Sequence, residues 1–277
     1  MTLPDQCQLI IDPPCSGVWN MAVDEALLEW SAATRGCCWR FYRWEEPTLS
    51  LGYFQKYDDR AEHADSRDCP TVRRLTGGGA IVHDAELTYS LILPAEHPLA
   101  VERDRLYAVV HESLIEAAAE LDVSAGLCGP PDDDQTGDDQ AGDDQTDDDQ
   151  AGDDRFLCFQ RRTPGDVLIA STKIAGSAQR RRRGAVLQHG SVLLQRSAAA
   201  GELAGLEDVT GHGRLGDELA DAWLAKLSGH IARTWHRTPL WEQPRRLAEE
   251  LARSKYASDA WTRHRRCPAA RPVGESF

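Results

Sequence analysis

Three consecutive glycines, Gly77 to Gly79, separate a basic pair from two apolar runs in "RRLTGGGAIVHDAELTYSL" (73–91). Glycine in such a place loses conformational entropy on folding and gives no side chain to a core, so it suits a backbone that must approach something closely. The segment fits neither the dinucleotide fingerprint G-x-G-x-x-G nor the phosphate loop G-x-x-x-x-G-K-[ST]. Thr76 to Gly79 is therefore not one of the common phosphate cradles. A loop free of Cβ atoms can still turn N–H groups toward a ligand carbonyl or phosphate. The plain alternative is a glycine-rich hairpin turn.

The surrounding pattern mixes helices and strands. Asn20 is expected to cap a helix whose residues Val23, Ala26, Leu27 and Trp30 share one face. "CWRFYRW" and "TLSLGYF" read as strands broken by Glu45, Glu46 and Pro47, and "AIVHD" with "LTYSLIL" as a hairpin behind the glycines. Asp104 is expected to open a longer helix carrying Leu106, Val110, Leu114, Ala117 and Leu121. "DVLIAS", "STKIAG" and "AVLQHGSVLL" read as three strands joined by turns, and helices through Leu219, Trp223 and Leu227 and through Leu247 and Leu251 close the chain. Without a regular βαβ alternation, an α+β fold with mainly antiparallel sheets flanked by helices is predicted.

The formal net charge of -14 is local: twelve aspartates lie in 132–154, and the remainder of the chain is nearly neutral. That segment repeats DDQTG, DDQAG, DDQTD and DDQAG without an apolar residue larger than alanine, and reads as a disordered insertion. Mimicry of an acidic partner or an inhibitory role is the functional alternative. No run of 18 apolar residues is present, and the N-terminus has no secretory pattern, so a cytoplasmic protein without a membrane span is expected. The eight cysteines have no metal-ligand spacing, so no metal site is expected, and they should be reduced.

Of 31 basic residues only four are lysine, which singles out Lys173 in "KIAGSAQRRRRGAVLQHGSVLL" (173–194). Arginine is the default cation here, so a lysine suggests a compact charge on a flexible stem. His83 and His189 read as hydrogen-bonded structural histidines before proton acceptors. The run Arg180 to Arg183 is either a solvated turn or a docking patch for an acidic protein. Nucleic acid is a weaker reading, because no aromatic residues flank the run.

"GVWNMAVDEALL" (17–28), "RFYRWEEPTLSLGYFQ" (40–55), the glycine segment and the KIAG segment follow one another in an order that closely resembles the catalytic domain shared by lipoate protein ligases, octanoyltransferases and biotin protein ligases. "SKYASDAWTRHRR" (254–266) resembles the end of that domain. The resemblance implies one catalytic domain over 1–277, interrupted by 132–154. It also implies a tunnel for a medium-length acyl chain, with Arg74, Thr76, Gly77, Gly78, Gly79, His83, Gly176, Ser177, Ala178, His189 and Gly190 as substrate-binding residues.

Cys158 and Phe159, upstream of "KIAGSAQ", are similar to the octanoyltransferase branch found in Gram-positive bacteria, in which this cysteine accepts the acyl group. "ELTYSL" resembles the same branch. A chain ending soon after its KY...W segment, without the ligases' further small domain, points the same way. The resemblance thus implies octanoyl transfer from acyl carrier protein, through a Cys158 thioester, to a lysine of a lipoyl domain or glycine cleavage H protein. Lys173 would assist, and no cofactor would be used. An ATP-dependent lipoate ligase is the alternative, and a non-catalytic carrier-protein binder the second. A thiolate exchanges one thioester for another at little free-energy cost, and an amine then converts it downhill to an amide, so a cysteine and a cation belong together.

Overall fold

The computed structural model describes residues 3–129 and 155–267, so the acidic segment 132–154 lies outside the described residues. Among them, strands β6 (Glu86–Leu93) and β10 (Ala185–Leu193) form the antiparallel centre of a large sheet, in register from Val186 against Leu93 to Leu193 against Glu86. Beyond β10 follow β9 (Thr172–Arg182), β8 (Val167–Ile169) and β7 (Gly126–Leu127), all antiparallel. The meander expected of "DVLIAS", "STKIAG" and "AVLQHGSVLL" is therefore present. Beyond β6 lie β2 (Cys38–Tyr42), antiparallel, and then β1 (Gln6–Ile11) and β11 (Thr234–Arg237), which join in parallel.

Alternation along β6 sends Leu87, Tyr89, Leu91 and Leu93 to one face and Thr88, Ser90 and Ile92 to the other. The first face meets Trp39 and Phe41 of β2 and packs against α3 (Arg103–Glu120) and α5 (Leu215–Leu227) through Leu106, Val110, Leu114, Leu219 and Trp223. On the second face, Ile92 and Leu187 meet Met21, Val23 and Leu27 of α1 (Gly17–Thr34), which packs in turn on α6 (Glu242–Leu251). Every residue of β6 is buried, which suits a strand covered by helices on both sides.

Three local expectations change. Ser16, not Asn20, caps α1, accepting from the Trp19 N–H at 3.4 Å, while buried Asn20 donates to the carbonyls of Cys15 and Arg43. The longer helix starts at Arg103, after the short α2 (Pro98–Val101) and Glu102, with Asp104 in its first turn. "AIVHD" and "LTYSLIL" are not a hairpin. β5 (Ile81–His83) pairs with β3 (Thr48–Leu51), which pairs with β4 (Thr71–Arg73) in a separate three-stranded sheet. Both edges of β6 are taken by β2 and β10, so β5 has no place beside it.

Arg73 fastens the C-terminal part to the small sheet. Its Nε donates to the Thr262 carbonyl at 2.9 Å in α7 (Asp259–His264), and its own carbonyl accepts from Trp261 Nε1 at 2.9 Å.

Candidate active site

Cys158 opens a single 3-10 turn, Cys158–Gln160, that is stapled to the end of the glycine loop. Its N–H donates to the Ala80 carbonyl at 2.7 Å, and the Ala80 N–H donates to Phe156 at 3.0 Å. Gly79 makes this approach possible: a Cβ there would sit 3.0 Å from the Cys158 nitrogen and 3.1 Å from its Cα.

Lys173 Nζ lies 3.7 Å from Cys158 Sγ and 2.8 Å from Asp166 Oδ2. The stem crosses Gly176, where a Cβ would meet Lys173 Cε at 2.9 Å, so the glycine of the KIAG segment makes room for the lysine. Burial alone would lower the ammonium's pKa; Cys158 and Asp166 outweigh it and hold Lys173 above the usual lysine range. Asp166 is itself fixed by the Thr163 N–H at 2.7 Å and hydroxyl at 3.0 Å.

The glycine loop wraps the buried Arg74 guanidinium, which donates to the carbonyls of Gly77 at 2.6 Å and Gly79 at 2.7 Å. Burial pushes Arg74 down to about 10, still charged at neutral pH. Because a trans peptide sets C=O and N–H on opposite sides, the Gly77 carbonyl's turn toward Arg74 points the Gly78 N–H away from it. Gly78 lines a cavity with Cys158 and takes a φ of 88°, the left-handed region that glycine tolerates.

Arg74, Gly77, His83, Gly176, Ser177, Ala178, His189 and Gly190 also line that cavity, together with the apolar Met21, Ile81 and Phe159. Thr76, Gly79 and Lys173 support it from behind. The Thr76 hydroxyl meets His189 Nε2 at 2.6 Å, and Ser177 Oγ meets both Tyr89 and His111 at 2.6 Å. All thirteen residues nominated from the sequence thus converge. A wider depression lined by Arg60, Arg67 and Ser258 contains none of them.

Sequence reasoning passed over Asp166 and Asp24. His189 Nδ1 donates to Asp24 Oδ2 at 3.0 Å, and Arg40, Tyr42 and Ser90 donate to the same carboxylate. Burial by itself would raise Asp24; His189, Arg40 and Ser90 together hold it below the usual aspartate range. Its contribution to stability is therefore complete above the ordinary value of 3.8 and lost as pH falls through the lower folded value. Asp24→Asn is expected to cost about 3 kcal/mol in urea unfolding at neutral pH, with the gap to the parent closing below pH 3.8.

Arg180 to Arg183 are largely committed within the chain. Arg181 donates to the Ala100 carbonyl, Arg182 pairs with Glu25 at 3.0 Å and Glu29 at 2.5 Å, and Arg183 meets Glu29 at 3.4 Å. Arg180 lies over the Tyr53 ring. A G-x-G-x-x-G string does occur at 211–216, but it joins α4 (Leu206–Thr210) to α5 with no strand before it, so the context of a dinucleotide site is missing.

Residues 16–204, which span the glycine loop, Cys158 and Lys173, match the family described as the Lipoyl protein ligase A/B catalytic domain. The chain belongs to that family. It is 30% identical over 273 residues to Octanoyltransferase LipM of Geobacillus kaustophilus, covering 89% of this chain and 94% of that protein. In fold it is similar to the lipoate protein ligase of Thermoplasma acidophilum studied with its E2 lipoyl domain (TM-score 0.67, 20% identity, 93% and 96% of the two chains). A lipoate-protein ligase A bound with ATP gives a TM-score of 0.68 at 20% identity, over 94% and 98% of the chains. Among the described residues no helix is long and apolar enough to cross a membrane.

Proposed function

We propose that this chain is an octanoyltransferase that takes an octanoyl group from acyl carrier protein onto Cys158 and delivers it to a lysine of a lipoyl domain or glycine cleavage H protein, in the cytoplasm. One contact carries this reading: the Lys173 ammonium lies 3.7 Å from the Sγ of Cys158, which lines a cavity shaped by glycines.

In the first half-reaction the sulfur attacks the carrier thioester, and negative charge moves from sulfur to the thioester oxygen. Lys173, paired with Asp166 at 2.8 Å, stabilises charge at both places. The acyl tail lies against Met21, Ile81 and Phe159. In the second half-reaction the acceptor amine displaces Cys158, so no nucleotide is consumed. Arg74 and the Asp24–His189–Thr76 chain hold the loop in place during both.

The test is intact-mass measurement after incubation with octanoyl carrier protein in the absence of nucleotide. A gain of about 126 Da on Cys158, lost again when the acceptor is added, is the expected result for a covalent acyl intermediate. Formation of lipoyl adenylate from free lipoate and ATP, with Cys158 unmodified, would identify a ligase instead. Lys173→Ala is expected to slow Cys158 acylation about 10²- to 10³-fold while leaving the fold intact, as read by stopped-time mass spectrometry and circular dichroism.

A further inference from the structure

We infer that His83, backed by Glu86, is the base that takes the proton from the acceptor amine in the second half-reaction; this rests on the transfer reading above. His83 lines the same cavity as Cys158. Its Nδ1 meets Glu86 Oε1 at 2.7 Å, and its ring stacks on Trp44 at 3.9 Å between centroids. The same carboxylate oxygen also accepts from Trp44 Nε1 at 3.2 Å, the Thr88 hydroxyl at 2.5 Å and the Ser191 hydroxyl at 2.8 Å. An oxygen surrounded by donors in this way is an anion's oxygen, so it holds the proton of His83 on Nδ1 and leaves Nε2 with a lone pair. Nε2 is buried and has no partner.

The other two histidines at the site are occupied at both nitrogens. His189 is held between Asp24 and Thr76, and His111 between the Gly165 carbonyl and Ser177. Lys173 is paired with Asp166 at 2.8 Å and, as an ammonium, has no lone pair to accept a proton. Among the described residues that line the cavity, His83 alone carries a buried side-chain nitrogen or oxygen without a hydrogen-bond partner.

The step balances as follows. The neutral amine nitrogen bonds to the thioester carbon, and the C=O π pair moves to oxygen. His83 Nε2 removes one proton from the positively charged nitrogen of the adduct. The oxygen pair returns, the C–S bond breaks, and Cys158 leaves as thiolate. The imidazolium, paired with Glu86, gives its proton to that thiolate or to water, which restores the starting state.

The two half-reactions are measured separately on the full chain, with octanoyl carrier protein as donor and a lipoyl domain as acceptor. His83→Ala is expected to slow transfer to the acceptor about 10²- to 10⁴-fold more than it slows acylation of Cys158, the range of a lost general base. Added imidazole should recover part of the transfer rate and leave acylation alone. His83→Gln, which can hydrogen-bond but not carry the proton, should remain slow. Glu86→Gln should slow transfer with acylation preserved. Equal losses in both half-reactions for the His83 and Glu86 variants, transfer at the parental rate, or full recovery by His83→Gln would each overturn the assignment. Absence of acylation in the parent protein would instead overturn the transfer reading itself.

Discussion

Cys158→Ala is expected to take up no octanoyl group and to transfer to the acceptor at least about 10⁴-fold more slowly than the parent, the scale at which loss of a nucleophile is felt. The substitution removes one sulfur from a half-buried position whose backbone is fixed by Ala80, so the cavity and the Lys173–Asp166 pair should persist. Other thiols are poor substitutes. Burial pushes Cys7 and Cys38 well above the usual thiol range and raises Cys15 and Cys69 as well, and none of the four lines the cavity. Intact mass and single-turnover transfer are the measurements. Undiminished transfer by Cys158→Ala would exclude a covalent route and leave Lys173 without the role given to it here.

Gly52→Ala is expected to slow acylation about 100-fold, although Gly52 lies outside the glycine loop. A Cβ at this position would sit 1.9 Å from the Gly78 carbonyl oxygen, and the atom in the way is backbone. The loop must therefore move, and with it the Gly77 and Gly79 carbonyls that Arg74 holds. A displacement near 1 Å of a positioning group can cost about 10² in rate, and overpacking of this kind about 1–3 kcal/mol in stability. Acylation rate and thermal unfolding read the two effects. Parental values for both would mean that the loop tolerates another position, and the close backbone approach would lose its importance.

Much of the site was legible because it is written in local strings. The glycine segment, the KIAG strand and Cys158–Phe159 each mark a close backbone approach or a stretch of the cavity lining, and β8 to β10 follow one another as a meander with short turns. What stayed hidden depends on residues far apart in the chain. Asp166 sits at the head of a short strand and acquires meaning only from Lys173, a contact made when β8 folds back on β9. Asp24 reads as an ordinary helix acid until His189, 165 positions later, is brought to it. Arg182 and Arg183 look like free surface charge because Glu25 and Glu29 lie in α1, remote in sequence. The supposed hairpin failed for a related reason: β6 is buried on both faces, and its neighbours were fixed by the whole sheet rather than by the short link from His83 to Glu86.

The peptide bridge between Ala80 and the segment at Leu157 has a further consequence. The stretch preceding residue 130 is tied separately, the Cys128 N–H to the Asp166 carbonyl at 2.7 Å and the Cys128 carbonyl to the Gly165 N–H at 3.0 Å. Each flank of the aspartate repeat is thus moored to the body of the protein without help from the other. A change in the number of repeats would thus leave both anchors, and with them the backbone position of Cys158, in place.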